Sequence, residues 1–157
     1  MSENKIDPQL IQNYLHAHIP ISRAMGISVV EAKPHLLKLK APLDANINHR
    51  DSVFGGSAAA VAILSAWSLV HSKLMAEQIE ARLVIQKNSM RYLKPIMGDF
   101  TAICKIDDEQ QWNRFFHVFQ RKGMARIRLT AHLACEDEIV ADFDGDYVAV
   151  LRSKTVA

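Results

Sequence analysis

Apolar residues recur along this chain with two different periods, and the switches between them mark out its elements. Leu10, Ile11, Tyr14, Leu15 and His18 follow helical spacing, with Asp7 as N-cap, Pro8 at the first helical position and Pro20 closing the element. Residues 27–32 and 36–41 then read as strands about a turn at Lys33-Pro34-His35. In the second, Leu37, Leu39 and Ala41 alternate with Leu36, Lys38 and Lys40, so one face of its sheet is wetter. Residues 42–54 carry turn chemistry throughout, and an apolar helix follows from Gly55-Gly56 to about Glu77.

The second half returns to period two. Residues 81–93 and 100–106 read as strands about a turn at residues 94–99. Trp112, Phe115, Phe116 and Phe119 give residues 109–122 the stripe of an amphipathic helix, capped by Gly123. That stripe is expected to cover one end of a sheet, with a binding groove as the alternative. Ala125, Ile127, Leu129, Ala131, Leu133 and Cys135 alternate with Arg126, Arg128, Thr130, His132 and Glu136, which predicts a strand with one buried face. Residues 139–151 form the last strand, with Gly145 expected at a bulge or bend. No linker or repeat divides residues 1–157, so we expect one domain of α+β class.

The helix after Gly55-Gly56 decides the architecture. No charge occurs from Val53 to Val70, which is near the length of a membrane span. Its alanines, its serines (Ser57, Ser65, Ser68) and the amphipathic strands around it favour instead the centre of a core. Burying Val61, Ile63, Leu64, Trp67 and Leu69 would contribute about 1.5–3 kcal/mol each. A sheet curled around that helix is the expected fold.

Composition narrows the function classes. A formal net charge of +2 gives no nucleic-acid or membrane signal. The polar start, Met1-Ser2-Glu3-Asn4-Lys5, lacks a secretory apolar stretch. Cys104 and Cys135 are too few for a disulfide framework or a zinc site, so both are expected as buried thiols in a reducing cytoplasm. His16 and His18 point to different helix faces and are expected at the surface. Asp142-Phe143-Asp144-Gly145-Asp146 superficially matches a calcium loop, but its glycine is misplaced and Ser153 stands where the bidentate acid belongs. No metal or separate cofactor is expected.

Candidate chemistry lies in the loop before the apolar helix, at Asn46, Asn48, His49, Arg50, Asp51, Ser52, Phe54, Gly55, Gly56 and Ser57. Free N–H groups and the positive dipole end of a helix favour developing negative charge, and two glycines admit a carbonyl close to the backbone. The structural alternative is a tight turn in which the glycines only relieve crowding.

Four segments in order bear a resemblance that weighs on this choice. Residues 20–29 (PISRAMGISV), 48–57 with the helix behind them, 90–101 (MRYLKPIMGDFT) and 141–150 (ADFDGDYVAV) resemble hotdog-fold acyl-CoA thioesterases. With the aromatic insert before Gly123, the pattern is most similar to the thioesterase domain at the C-terminal end of YiiD-type proteins. The resemblance implies a curved antiparallel sheet around the central helix, a homodimer or tetramer with sites at the subunit interface, and an acyl-CoA or acyl-carrier-protein substrate. It also implies an oxyanion hole at Gly55 or Gly56, with Asn48 positioning substrate or water. His49, Phe54, Ser57 and Ser65 are the nearby candidates for contact with substrate, and Arg91, Lys94 and Arg126 head the candidates for coenzyme A phosphates.

The chain departs from the pattern in one respect. No acid occurs between Asp51 and Glu77, whereas the best-understood branches carry a helix carboxylate about two turns after the Gly-Gly. Asp51 is therefore the expected base, with a solvated turn residue as its structural alternative. Ser65 as nucleophile lacks a basic partner, and a helix serine bonded to a backbone carbonyl is the expected reading. A thioesterase is the first reading and a non-catalytic acyl-thioester binder the second. A dehydratase would want an acid–histidine dyad that is absent from the sequence.

Overall fold

The computed structural model describes residues 6–152; the polar start and Ser153 lie outside the described residues. Helix α1 (Pro8–His18) begins where expected, with the Asp7 carboxylate accepting from the Gln9 N–H at 2.9 Å. Pro20 does more than end it. A proline at a first helical position has its φ already set and no N–H to satisfy, and Pro20 opens a short second helix, α2 (Pro20–Ala24).

Strands β1 (Ser28–Lys33) and β2 (Leu36–Ala41) form a hairpin, and a 3-10 turn at Asp44–Asn46 leads to helix α3 (Gly55–Ala76). Strands β3 (Ala81–Tyr92) and β4 (Phe100–Lys105), helix α4 (Glu109–Lys122), and strands β5 (Met124–Cys135) and β6 (Glu138–Leu151) complete the chain. The six strands make one antiparallel sheet in the order β1-β2-β4-β5-β6-β3.

α3 lies against β2, β3, β4, β5 and β6, so the apolar helix is the axis of the core. Val61, Ala62, Ala66, Leu69 and Val70 are at most 1% exposed. Two side chains tie it to the sheet from opposite directions: the Tyr147 hydroxyl donates to the Ile63 carbonyl at 2.7 Å, and the Trp67 indole N–H donates to the Leu83 carbonyl at 2.9 Å. Ile63 and Trp67, expected inside, remain half-buried on the one stripe of α3 that the sheet leaves open.

α4 carries its aromatic stripe inward, with Trp112, Phe115 and Phe119 buried and Gly123 in the left-handed conformation at φ 68°. Lys73, near the end of α3, sits over the Trp112 ring at 5.6 Å. The stripe therefore covers the end of the barrel where α3 finishes, leaving the other end to the start of α3.

Gly145 is not at a bulge. It pairs in regular register with both Leu129 and Asn88, and a Cβ there would meet the Phe143 ring at 2.7 Å. Glycine is needed for that aromatic neighbour, and the irregularity lies across the ladder in β3, between Ile85 and Lys87. Asp142, Asp144 and Asp146 alternate along the part of β6 that follows its own irregularity at residues 139–141, paired to neighbours on both sides, so no loop is available to wrap an ion.

α1 docks through rings. Tyr14 lies 4.2 Å from His18 and 4.4 Å from His71 between ring centroids, and His71 stacks on Trp67 at 4.6 Å. His16, expected at the surface, is half-buried and bonded to the Ile27 carbonyl at 2.8 Å. Burial, with a smaller contribution from His18, lowers the His71 pKa from its ordinary 6.5. The folded state thus prefers neutral imidazole, so this contribution is complete above pH 6.5 and is lost as pH falls through the lower folded value. Melting temperature should drop on acidification below 6.5, and His71→Phe, which keeps the stack, should flatten that part of the profile.

Candidate functional site

Three backbone bonds fix the loop that leads into α3. Phe54 N–H donates to the Asn46 carbonyl at 2.7 Å, Val53 N–H to the Ile96 carbonyl at 2.8 Å, and Asn48 N–H to the Ser52 carbonyl at 2.8 Å. The Asn46 side chain, 3% exposed, donates to the carbonyls of Met25 and Pro42 and so anchors the loop to the approach to β1. The start of α3 is thereby held against the β3–β4 connection on one side and the β1 approach on the other.

Within that frame the tip of the loop organises itself. The Asn48 side-chain oxygen accepts from the N–H groups of Arg50 at 2.8 Å and Ser52 at 3.2 Å, and its amide donates to the Ser52 hydroxyl at 3.1 Å. Asn48 thus holds the turn, a task that competes with direct contact to substrate. His49 and Asp51 project from the tip, both exposed. Asp51 adopts φ 62°, a left-handed conformation that Asp and Asn tolerate better than most residues, and its carboxylate has no partner among the described residues.

α3 starts without a cap. Phe54, at the N-cap position, offers no side-chain acceptor, and its carbonyl takes only the Ala58 N–H at 3.1 Å. The N–H groups of Gly55, Gly56 and Ser57 are left without partners among the described residues, at the positive end of a 22-residue helix with no acid in its first turn. Glycine is required at one of the pair: a Cβ on Gly56 would stand 2.4 Å from the Phe54 ring, whereas a Cβ on Gly55 would make only ordinary contact with Tyr92.

A cleft of about 350 Å³ opens beside this helix start, lined by Ser52, Val53, Ala58, Tyr92, Lys94 and Ile96 among others. Ile47, Phe54, Tyr92, Leu93 and Met97 stand exposed around it, an apolar patch at the free edge of the sheet.

The structure separates the other candidates. Ser57 is half-buried in the first turn of α3. Ser65 is fully buried and donates to the Ala62 carbonyl at 2.7 Å, so it serves the helix and is removed as a substrate contact. Of the three leading basic residues only Lys94 lines the cleft, where it is ion-paired with Glu138. Arg91 pairs across the ladder with Asp142, between the inward-facing Ala141 and Phe143, and faces the outer side of the sheet in a separate cavity of about 680 Å³. Arg126 also faces outward, beside α4. Both are therefore displaced from the start of α3.

Tyr92 is the residue that sequence reasoning missed. Its hydroxyl donates to the Gly55 carbonyl at 2.9 Å. Alternation counted from the buried Leu83 puts Arg91 inside and Tyr92 outside. The bulge between Ile85 and Lys87 reverses that parity, so Asn88, Met90 and Tyr92 oppose the inward Gly145, Phe143 and Ala141.

A six-stranded antiparallel sheet wrapped on one apolar helix, with an uncapped Gly-Gly start and a cleft beside it, is the hotdog fold of thioesterase-type proteins. Residues 8–151 match the family "Putative thioesterase (yiiD_Cterm)", and the chain belongs to it. It is similar to a protein of unknown function from Chlorobaculum tepidum, at 32% identity and TM-score 0.88, over 92% of this chain and 94% of that one. A thioesterase candidate from Shewanella oneidensis aligns at 26% identity and TM-score 0.82, over 91% and 96%. A Haemophilus influenzae thioesterase shares the fold at 11% identity and TM-score 0.74, over 98% of each chain.

Proposed function

We propose that this chain hydrolyses an acyl thioester of coenzyme A or acyl-carrier protein at the start of α3. The observation that carries this reading is the set of unpartnered amides at Gly55, Gly56 and Ser57, at a helix start that has a cleft lined by Ser52, Ala58 and Tyr92 beside it. The thioester carbonyl sits against the Gly55 or Gly56 N–H. Asp51 takes a proton from water as it attacks that carbon, and the oxyanion forms where the amides point. Collapse expels the thiol sulfur, which recovers the proton, giving a carboxylic acid and the free thiol. Asn48 holds the turn that presents Asp51.

Coenzyme A enters as part of the substrate, and no further cofactor takes part. Two copies join along the free edge of β3, where Trp67 occupies the Leu83 carbonyl and leaves the following residues open to pair, and the apolar patch is covered in the same step. Both cysteines are buried free thiols, which suits a reducing cytoplasm. Lys94 meets a phosphate of the carrier. Lys94→Ala should raise KM for acyl-CoA about three- to tenfold, whereas Arg91→Ala and Arg126→Ala should leave it unchanged, in a titration of initial rate against substrate.

A second reading, an acyl-thioester binder without turnover, is favoured by two features: α3 has no carboxylate, and the Asp51 carboxylate has no hydrogen-bond partner of its own among the described residues. An acyl-CoA panel with thiol detection separates the two. Release of thiol above the uncatalysed rate supports the hydrolase; tight binding without release supports the binder.

A further inference from the structure

Resting on the hydrolase reading, we infer that Tyr92 is a positioning residue that strengthens the oxyanion-binding amide of Gly56 through the peptide bond between Gly55 and Gly56. The Gly55 carbonyl and the Gly56 N–H belong to one planar, conjugated unit. A donor placed on the oxygen draws electron density from the nitrogen and makes its hydrogen a better donor, as in any chain of hydrogen bonds. The Tyr92 hydroxyl is that donor, at 2.9 Å.

Three features support this role over a mere surface contact. The bonded carbonyl belongs to the first residue of α3, and its own peptide partner is one of the amides left without an acceptor. The Tyr92 ring stands beside Gly55, so that a Cβ there would lie 3.5 Å from the hydroxyl oxygen and 3.6 Å from the ring carbon bearing it, which fixes the hydroxyl relative to the peptide plane. The second glycine of the same unit is neighboured by Phe54, whose ring would stand 2.4 Å from a Cβ on Gly56. The peptide thus has an aromatic ring beside each of its two glycines, and one of them carries the donor.

The test is Tyr92→Phe, which keeps the ring and removes only the donor. Cooperative strengthening of about 10–30% applied to an amide worth two to three decades in rate predicts a kcat lower by about two- to eightfold, with KM unchanged. The independent readout is the amide proton shift of Gly56 in a nitrogen–proton correlation spectrum, expected to move upfield in the variant while the rest of α3 keeps its shifts. An unchanged Gly56 shift overturns the inference, as does a shifted amide with unchanged kcat. A loss of kcat accompanied by higher KM, lower melting temperature and shifts throughout α3 also overturns it, because that is the signature of a brace alone. Absence of turnover in the wild type would defeat the hydrolase reading instead, and the Gly56 shift would still decide whether Tyr92 polarises the amide.

Discussion

Asp51→Asn is expected to lower kcat for acyl-CoA hydrolysis by about 10²–10⁴-fold, the usual worth of a positioned general base, with little change in KM or melting temperature. The structure makes this variant a clean one. Asp51 stands at φ 62°, and asparagine tolerates that left-handed conformation as well as aspartate does. Its carboxylate has no hydrogen bond or ion pair among the described residues, so the substitution breaks no contact that holds the turn. The turn itself depends on Asn48, whose side-chain oxygen takes the N–H groups of Arg50 and Ser52. Asn48→Ala should therefore behave differently, loosening residues 48–52 as well as slowing turnover. Wild-type turnover in the aspartate variant would remove the base from this loop altogether, and α3 offers no replacement acid before Glu77.

The same geometry explains why the hydrolase reading needs an acyl chain and not just an anion. A helix start on a solvated surface would bind phosphate or carboxylate as readily as an oxyanion. Here the free amides lie next to exposed Phe54, and the cleft beside the helix start is lined by exposed Tyr92 and Leu93. A small inorganic anion gains nothing from those rings, whereas a thioester carbonyl carries an alkyl group on one side to cover them. On the hydrolase reading, that neighbourhood is expected to favour a thioester carbonyl over a free anion.

How much of this was readable before the fold was known depended on whether the signal was local. The stripe of α4, the cap at Gly123 and the alternation of β5 involve residues within one turn or two of each other, and the structure reproduces them. The burial of α3 was also legible, because an uncharged helix in a chain of amphipathic strands has only one place to go. What the sequence did not reveal was which face of a strand its residues take once an irregularity intervenes. The bulge in β3 turned Arg91 outward and Tyr92 inward, and neither Ile85, Gln86 nor Lys87 signals an extra residue. The one glycine that suggested a bulge, Gly145, answers to the Phe143 ring instead. Likewise the sequence placed Asn48 near the chemistry, but its bonds to residues two and four further on appear only once the chain is folded back at Ile47 and Val53.

Tyr147→Ala should be among the most destabilising single changes in this protein, by about 3–5 kcal/mol, as for other fully buried aromatic truncations. For a chain of this length that corresponds to a melting temperature lower by about 6–20 °C. Tyr147 is fully buried on the inner face of β6, opposed to Ile127 of β5 and Ile85 of β3, and its hydroxyl reaches the Ile63 carbonyl in the middle of α3. Truncation would leave a cavity between the sheet and its axis and would unhook the helix at the same point. Tyr147→Phe separates those contributions: it keeps the volume and removes one hydrogen bond, and should cost about 0.5–1.5 kcal/mol because the Ile63 carbonyl keeps its helical partner. The size of the gap between the two variants measures how far stability rests on filling the space between sheet and helix. Were the alanine variant to melt within a degree or two of wild type, filling the space between sheet and α3 would not be what holds this fold together.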